Sequence, residues 1–150
     1  MEKKYIKVVF EVENEEDDEV IKESIWAIDL GDNTCQIDNI PFYAFYYACD
    51  DIVSIEEFSE QLYVKELITA SGNSTVRLLF ENEEELTEIK SELNSLSLES
   101  ESSMSSKLLA VNIPKKILYS EIKNYLENGE TKGKFQYEEA CISEKHQEDL

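Results

Sequence analysis

The sequence of 150 residues is poor in glycine and proline, with four of the first and two of the second. Loop-rich scaffolds and collagen-like chains need many of both, so this chain is expected to consist mainly of regular secondary structure. It also lacks an apolar run long enough to span a membrane or to form the apolar part of a signal peptide. We therefore expect a cytoplasmic protein.

Cysteine and histidine are scarce as well, with three cysteines and one histidine. The cysteines, Cys35, Cys49 and Cys141, are widely spaced and form no CxxC pair, so the sequence offers no set of metal ligands. Buried, reduced thiols are the expected state in a cytoplasm. His146 lies in a polar segment, and we expect it on the surface of a frayed tail. No metal and no cofactor are predicted.

Basic residues are the third deficit, because 14 Lys and Arg oppose 34 Asp and Glu and give a net charge of −20. Residues 11–64 contain sixteen acidic residues and one lysine, whereas residues 107–134 contain six lysines and three glutamates. A dense negative surface repels phosphates and anionic membranes and attracts basic proteins. We therefore predict a basic protein as the partner, and no nucleic acid or membrane.

Hydrophobic residues make up 41% of the chain and aromatic residues 10%, which is enough to form a core. In the first 72 residues, short segments with alternating polarity are separated by turn residues, and this pattern predicts five or six strands. Such strands favour a small antiparallel barrel or a strongly bent sheet. The charged run 13–19 is expected to be a solvated loop or hairpin tip. The clearest strands are 5–12, 24–30, 34–37, 51–56 and 61–67.

The pattern changes after residue 72, where predicted strands and helices alternate. Asn82 precedes three glutamates as an N-cap, and the spacing of Leu and Ile then predicts a helix over 83–96. Residues 97–106 are typical of a flexible connection. A second amphipathic helix is expected to end at Asn128 and Gly129 as its C-cap. Strands at 74–80, 108–113 and 135–142 complete the pattern.

We predict an α+β fold from these elements. A β-rich small barrel or bent antiparallel sheet occupies residues 1–72, and a β-α-β-α-β plait-like half with two helices on one face occupies residues 73–143. Residues 144–150 form a polar tail. The two halves pack on each other, and the sequence is compatible with two small domains or with one integrated domain.

Several short motifs occur in a recognisable order. They are ESIWA from Glu23, DNIPF from Asp38, DDIV from Asp50 and SGNST from Ser71. Their order and spacing resemble those of the bacterial family known as domain of unknown function 4265, and LAVNIP at 109–114 and YEEA at 137–140 resemble its C-terminal half. The resemblance covers residues 5–142 and implies a bacterial cytoplasmic protein with the fold of its relatives.

The chain departs from that family at two places. Family members usually have histidine at the position of Asn73, and usually have glycine before the aspartate where Cys49 or Asp50 stands. If that histidine were catalytic, its absence here would argue that this protein is not an enzyme. The family has no established activity, so the resemblance implies none for this chain.

Two motifs leave alternatives open. Residues 71–75 could cradle a phosphate, but they lack the lysine and the following helix of a P-loop, and a tight turn with Gly72 at positive φ is favoured. Residues 42–47, FYAFYY, are too aromatic for both faces of a strand to lie in water. We favour burial of the segment on both sides, or a helical turn. The alternative is that the segment places tyrosines at an interface.

These observations predict an acidic interaction protein that is not an enzyme. Adjacent acidic residues are usually solvated, which disfavours a catalytic carboxylate pair. We predict an immunity protein of the kind used in contact-dependent inhibition, which binds and blocks a basic, nuclease-type bacterial toxin domain. A nuclease attracts phosphate with a basic cleft, so carboxylates on an inhibitor can occupy the same cleft and accelerate association.

The alternative is a regulatory or small-ligand-binding module without catalysis. In either case a monomer or a weak dimer is expected. The predicted partner-binding residues combine carboxylates with tyrosine anchors and lie in the N-terminal half. They are Asp17, Asp18, Tyr43, Tyr46, Tyr47, Asp50, Asp51, Glu56, Glu57 and Glu60.

Overall fold

The computed structural model describes residues 2–14, 19–103 and 105–150, and within these ranges the strands form two sheets. The first sheet is a closed barrel with the strand order β1-β2-β3-β4-β5. Sequential neighbours are antiparallel, while β1 and β5 close the barrel in parallel. The predicted small barrel is therefore confirmed. Its strands are β1 (Tyr5–Asn14), β2 (Glu19–Gly31), β3 (Thr34–Ile37), β4 (Ile52–Phe58) and β5 (Gln61–Thr69).

Local sequence explains the barrel strands. Alternate residues of β1, including Val8 and Phe10, point into the barrel core and pack against Ile25 and Val53. The connection from β2 to β3 is a tight turn in which Asp32 and Asn33 both have positive φ, 53° and 58°. These residue types tolerate the left-handed conformation that a two-residue hairpin requires. The charged run predicted as a loop lies partly outside the described residues, because positions 15–18 are not among them.

The second sheet has the strand order β7-β8-β6-β9, and all its neighbouring strands are antiparallel. Both long helices pack on one face of this sheet around a core that includes Leu78, Leu86, Leu109 and Leu126. The chain order β-α-β-β-α-β is that of a ferredoxin-like plait. Its elements are β6 (Ser74–Leu79), α1 (Glu83–Ser95), β7 (Ser100–Ser103), β8 (Leu108–Ile113), α2 (Tyr119–Thr131) and β9 (Gln136–Cys141).

The predicted flexible connection over 97–106 is wrong in part, because it contains strand β7. Its composition is polar, yet its backbone pairs with β8 along the edge of the sheet, with Ser102 opposite Leu109. Leu98 is buried and attaches the segment to the plait core. An edge strand needs only backbone pairing on one side, so its side chains carry little signal of the strand.

The predicted C-cap of α2 is also wrong. The helix continues to Thr131, and Gly129 lies inside it, where a Cβ atom would overlap the ring of Phe135. The cap is formed by Gly133 instead, with φ of 73°. The backbone N–H of Lys134 donates to Gly129 O at 2.9 Å, and that of Gly133 donates to Glu130 O at 3.0 Å, which together form a Schellman motif.

The predicted frayed tail is a short helix, α3 (Glu144–Glu148), and His146 is fully buried rather than exposed. Its Nε2 lies 3.0 Å from the carbonyl oxygen of Pro114, and its Nδ1 lies 2.5 Å from the hydroxyl of Ser74. Since a carbonyl only accepts, Nε2 carries the proton and Nδ1 accepts from Ser74. The ring also packs beside Tyr119, so a neutral imidazole holds the tail against the plait.

We expect the stability of the protein to decrease as the pH falls below the ordinary histidine pKa of about 6.5. Burial lowers the pKa of His146, so in this range the unfolded chain binds a proton that the folded chain excludes. The stability that the neutral imidazole contributes is fully lost once the pH is below the lowered pKa of His146. Urea denaturation of the wild type and of His146→Gln at several pH values gives the free energy of unfolding of each protein. The test is the difference between the two dependences of this free energy on pH.

The chain has one histidine, so its imidazole signals can be followed alone in a proton NMR titration. A titration midpoint at or above the ordinary value would contradict the buried neutral state.

Within the described ranges, no helix combines the length and the apolar character that crossing a membrane requires.

Candidate functional site

Residues 38–51, here called the aromatic loop, connect β3 to β4 and lie between the barrel and the plait. A buried carboxylate on β2, that of Glu23, holds the first part of the loop. It accepts hydrogen bonds from the backbone N–H groups of Phe42 at 2.5 Å and of Tyr43 and Ala44 at 3.0 Å. Three donors converge on one side chain, so this turn of the loop depends on Glu23.

A second buried carboxylate, that of Asp51, holds the end of the loop. It accepts from the backbone N–H groups of Ala48 at 2.9 Å and of Ser71 at 2.8 Å. Burial raises the pKa of Asp51, although these hydrogen bonds oppose the shift. The prediction that Asp51 contacts a partner is therefore wrong, because its carboxylate is buried and already bound. Its neighbour Asp50 is exposed.

The plait fixes the loop from the other side. Arg77 on β6 donates to the carbonyl oxygen of Phe42 at 2.5 Å, pairs with Glu138 and lies 4.2 Å from the ring centroid of Phe45. Further along the loop, the hydroxyl of Thr75 donates to Tyr47 O at 3.1 Å. The N–H of Tyr46 donates to a carbonyl of β9 at 3.0 Å. The loop is thus bound to both sheets.

The aromatic segment 42–47 is neither buried on both sides nor helical, so that prediction is wrong. Tyr43, Phe45 and Tyr46 are exposed, and Tyr46 has 79% of its surface accessible. Tyr46 also has a φ of 71°, which is unusual for an aromatic residue. Tyr47 points inward and packs 4.8 Å from Phe10, so it is a barrel residue more than a free anchor. Phe45 is exposed as well, although it was not among the predicted partner-binding residues.

The turn at 71–75 does not form a phosphate cradle. Ser71 N–H is bound by Asp51, and Asn73 N–H donates to the hydroxyl of Ser71 at 3.1 Å, so neither can point at a phosphate. Gly72 has a φ of 91°, and the predicted tight turn is confirmed. The side chain of Lys115 lies over this glycine, where a Cβ would be 2.6 Å from Lys115 Cδ.

The predicted carboxylates fall into separate groups. Glu56, Glu57 and Glu60 are exposed on the hairpin between β4 and β5, around Phe58, which is 70% accessible. Asp50 lies on the aromatic loop, where Asn73 Nδ2 donates to its carboxylate at 3.3 Å. The structure therefore places the three glutamates on one exposed hairpin and Asp50 on a different element. Asp17 and Asp18 lie outside the described residues.

The hairpin borders a groove of about 600 Å³ at the junction of β1 and β5, here called the seam groove. Phe58 and Tyr63 meet in it with their rings at an edge-on angle, 6.5 Å apart. Carboxylates of Glu11 and Glu56 stand beside these aromatic rings. The sequence prediction missed this groove, because it depends on how the barrel closes. Its lining residues are Phe10, Glu11, Tyr47, Glu56, Phe58, Tyr63, Val64 and Lys65.

A second groove, of about 630 Å³, lies between the aromatic loop and the plait and is lined by Asn39, Cys49, Lys90 and Glu101 among others. Asn39 Nδ2 lies 3.4 Å from the Glu101 carboxylate. Burial raises the pKa of the Cys49 thiol to about 12, so the thiol stays protonated and is a weak nucleophile. Among the described residues, no group of His, Cys, Asp and Glu side chains is arranged to hold a metal ion.

Known proteins provide a fold and a family for this chain. The crystal structure of a hypothetical protein from Neisseria gonorrhoeae is similar, with a TM-score of 0.77 and 26% identity over 91% of this chain and 94% of that one. Among curated proteins, none matches the chain. The domain of unknown function DUF4265 matches residues 23–137. This range includes the two carboxylates that hold the aromatic loop and spans well over half of the sequence, so the chain belongs to the DUF4265 family.

Proposed function

We propose that this protein is an acidic, cytoplasmic interaction protein of the immunity type, which binds and blocks a basic, nuclease-type toxin domain. The observation that supports this most is the seam groove, where exposed aromatic rings and carboxylates stand together. The groove lies in the more acidic part of the chain. Residues 1–72 contain 18 acidic and 5 basic residues, against 16 and 9 in residues 73–150.

Each component of the groove has a role in binding. The exposed ring of Phe58 lies edge-on to Tyr63 and offers an apolar anchor, because large aromatic side chains contribute much of the affinity of interfaces. Glu56, Glu57 and Glu60 are exposed within two residues of it along the chain and attract a basic partner over a distance of about one Debye length, roughly 8–10 Å at physiological salt. A toxin cleft that binds phosphate would accept these carboxylates in its place.

Reversing the charge of the hairpin is the direct test. We expect the triple variant Glu56→Lys, Glu57→Lys, Glu60→Lys to associate with the toxin domain roughly 10- to 100-fold more slowly at low salt. The difference should shrink at about 1 M salt, where the Debye length is about 3 Å. Stopped-flow association rates measure both effects. The probe is the C-terminal domain of a secreted protein encoded beside this chain's gene.

The matched control reverses three exposed glutamates on the plait helices, Glu84, Glu88 and Glu127, and changes the net charge by the same amount. If both triples slow association equally, the whole charge rather than the hairpin attracts the partner. If no neighbouring gene encodes a secreted toxin, or its domain does not bind, the immunity proposal is wrong.

The second groove favours one other function, a regulatory or small-ligand-binding module. Polar side chains from both halves meet there, including Asn39 from the loop, Lys90 from α1 and Glu101 from β7. Grooves at such junctions are common ligand sites. A metabolite that raises the melting temperature of the wild type and of the hairpin triple by the same amount would support this function.

A further inference from the structure

We propose that the partner binds the seam groove as an added β-strand, with an extended basic segment lying between β1 and β5. This inference rests on the proposed function and specifies how the same groove is occupied. Strand addition uses the main chain of both proteins for affinity and the side chains for specificity. The backbone pairing, the exposure and the charges of the two strands each support it.

The first observation is the pairing of the barrel strands. β1 pairs with β2 along its whole described length, from Tyr5 to Asn14, and β5 pairs with β4 from Gln61 to Thr69. Between β1 and β5, the described residues pair at one position, Val9 with Tyr63. Beyond that position the facing edges, 11–13 and 64–69, have no strand partner among the described residues. Their backbone groups can therefore pair with another chain.

The second observation is that the groove passes through this junction. Phe10 and Tyr47 pack together in the barrel core, whereas Phe58 and Lys65 are exposed, yet all four line the same groove. The Nζ of Lys22, which lies on β2 opposite Glu11 of β1, donates to the hydroxyl of Tyr63 on β5 at 3.1 Å. The groove therefore lies at the closure of the barrel and reaches Glu11, Val64 and Lys65 beyond it.

The third observation is the exposure of β5. Its last five residues, 65–69, are all exposed, and they include Leu67 at 44% and Ile68 at 55%. Consecutive residues of a strand point to opposite faces, so both faces of this end are accessible. Exposed apolar residues on an unpaired strand edge are a liability in a monomer unless they serve an interface.

Charge selects the occupant. Glu11, Glu13 and Glu66 lie on the two edges and Glu56 lies beside them, against two lysines on the same strands, Lys7 and Lys65. A second copy of this chain would bring the same carboxylates to the groove and be repelled. A segment with lysine or arginine at alternate positions would place these side chains outward, toward the carboxylates. Its other side chains would point inward, toward Phe10 and Tyr47.

Hydrogen exchange with a synthetic peptide tests the binding mode. The probe is a nine-residue peptide of alternating lysine and valine, and the control is the same sequence N-methylated at every second residue. We expect the first peptide to slow amide exchange at 11–13 and 64–69 at least about tenfold, and the second to have no such effect, because it lacks half of its donors.

The outcomes separate the two proposals. If the N-methylated peptide binds as tightly as its parent, or if exchange slows elsewhere, strand addition is wrong while the acidic binding function stands. If neither peptide nor the toxin domain binds, the proposed function itself fails. Ultracentrifugation of the free chain completes the test, since a stable dimer that protects the same amides would show that a second copy fills the groove.

Discussion

Replacing Glu23 with alanine is expected to lower the free energy of unfolding by about 3–5 kcal/mol. The substitution removes one buried carboxylate and leaves the backbone N–H groups of Phe42, Tyr43 and Ala44 without their acceptor. Each unsatisfied buried donor costs about 1–3 kcal/mol. Urea denaturation followed by tryptophan fluorescence gives the difference, because Trp26 lies on the same strand.

Two variants complete this experiment. Glu19→Ala removes an exposed glutamate from the same strand and should change stability by less than about 0.5 kcal/mol. Glu23→Gln retains one acceptor oxygen and should fall between the wild type and the alanine variant. A Glu23→Ala protein within about 1 kcal/mol of the wild type would show that water replaces the carboxylate and that the loop does not depend on it.

Replacing Gly129 with alanine is expected to destabilise the protein by about 2–3 kcal/mol. In a helix this exchange normally stabilises by up to about 1 kcal/mol, so the sign is diagnostic. The added methyl group would overlap the ring of Phe135, which is buried and packs against Phe80 and Tyr125. The ring has little room to move, so the helix or the core must shift.

The partner residue provides the control for this substitution. In the double variant with Phe135→Leu, the smaller side chain should accommodate the methyl group, so the combined loss should be less than the sum of the two single losses. Asn128→Ala changes the exposed neighbouring residue and should cost little. Additive effects in the double variant would contradict a direct clash between residues 129 and 135. Thermal or urea unfolding of all four proteins measures the coupling.

The fold was predictable wherever short-range sequence determined it. The turn at 31–33 and Pro114 placed the strands Thr34–Ile37 and Leu108–Ile113 at their observed limits, and Asn82 caps α1 with a 2.9 Å hydrogen bond. The predictions that failed concern residues whose contacts are distant in the sequence or depend on packing in the core. His146 finds its partners at positions 74 and 114, which no local pattern reveals. Gly129 is a residue type typical of a helix C-cap, but it lies inside α2, where the ring of Phe135 approaches its Cα closely.

The candidate site was predictable in part, for the same reason. Exposure of the hairpin glutamates follows from their polar surroundings in the sequence, whereas the exposure of Tyr43 and Tyr46 differs from the burial that their aromatic segment favoured. Asp50 and Asp51 are chemically identical neighbours, yet one is exposed and the other accepts two backbone bonds. Their difference depends on where residues 48 and 71 lie in space. The seam groove depends on the closure of the barrel, which no single segment of sequence determines.

The attachment of the aromatic loop to both sheets has a consequence for unfolding. The barrel and the plait have separate hydrophobic cores, an arrangement that often gives two transitions. Here the loop between them donates hydrogen bonds to Glu23 of the barrel and accepts one from Arg77 of the plait. Melting of either sheet leaves buried groups of this loop unpaired, so the two cores are expected to melt together as one cooperative unit.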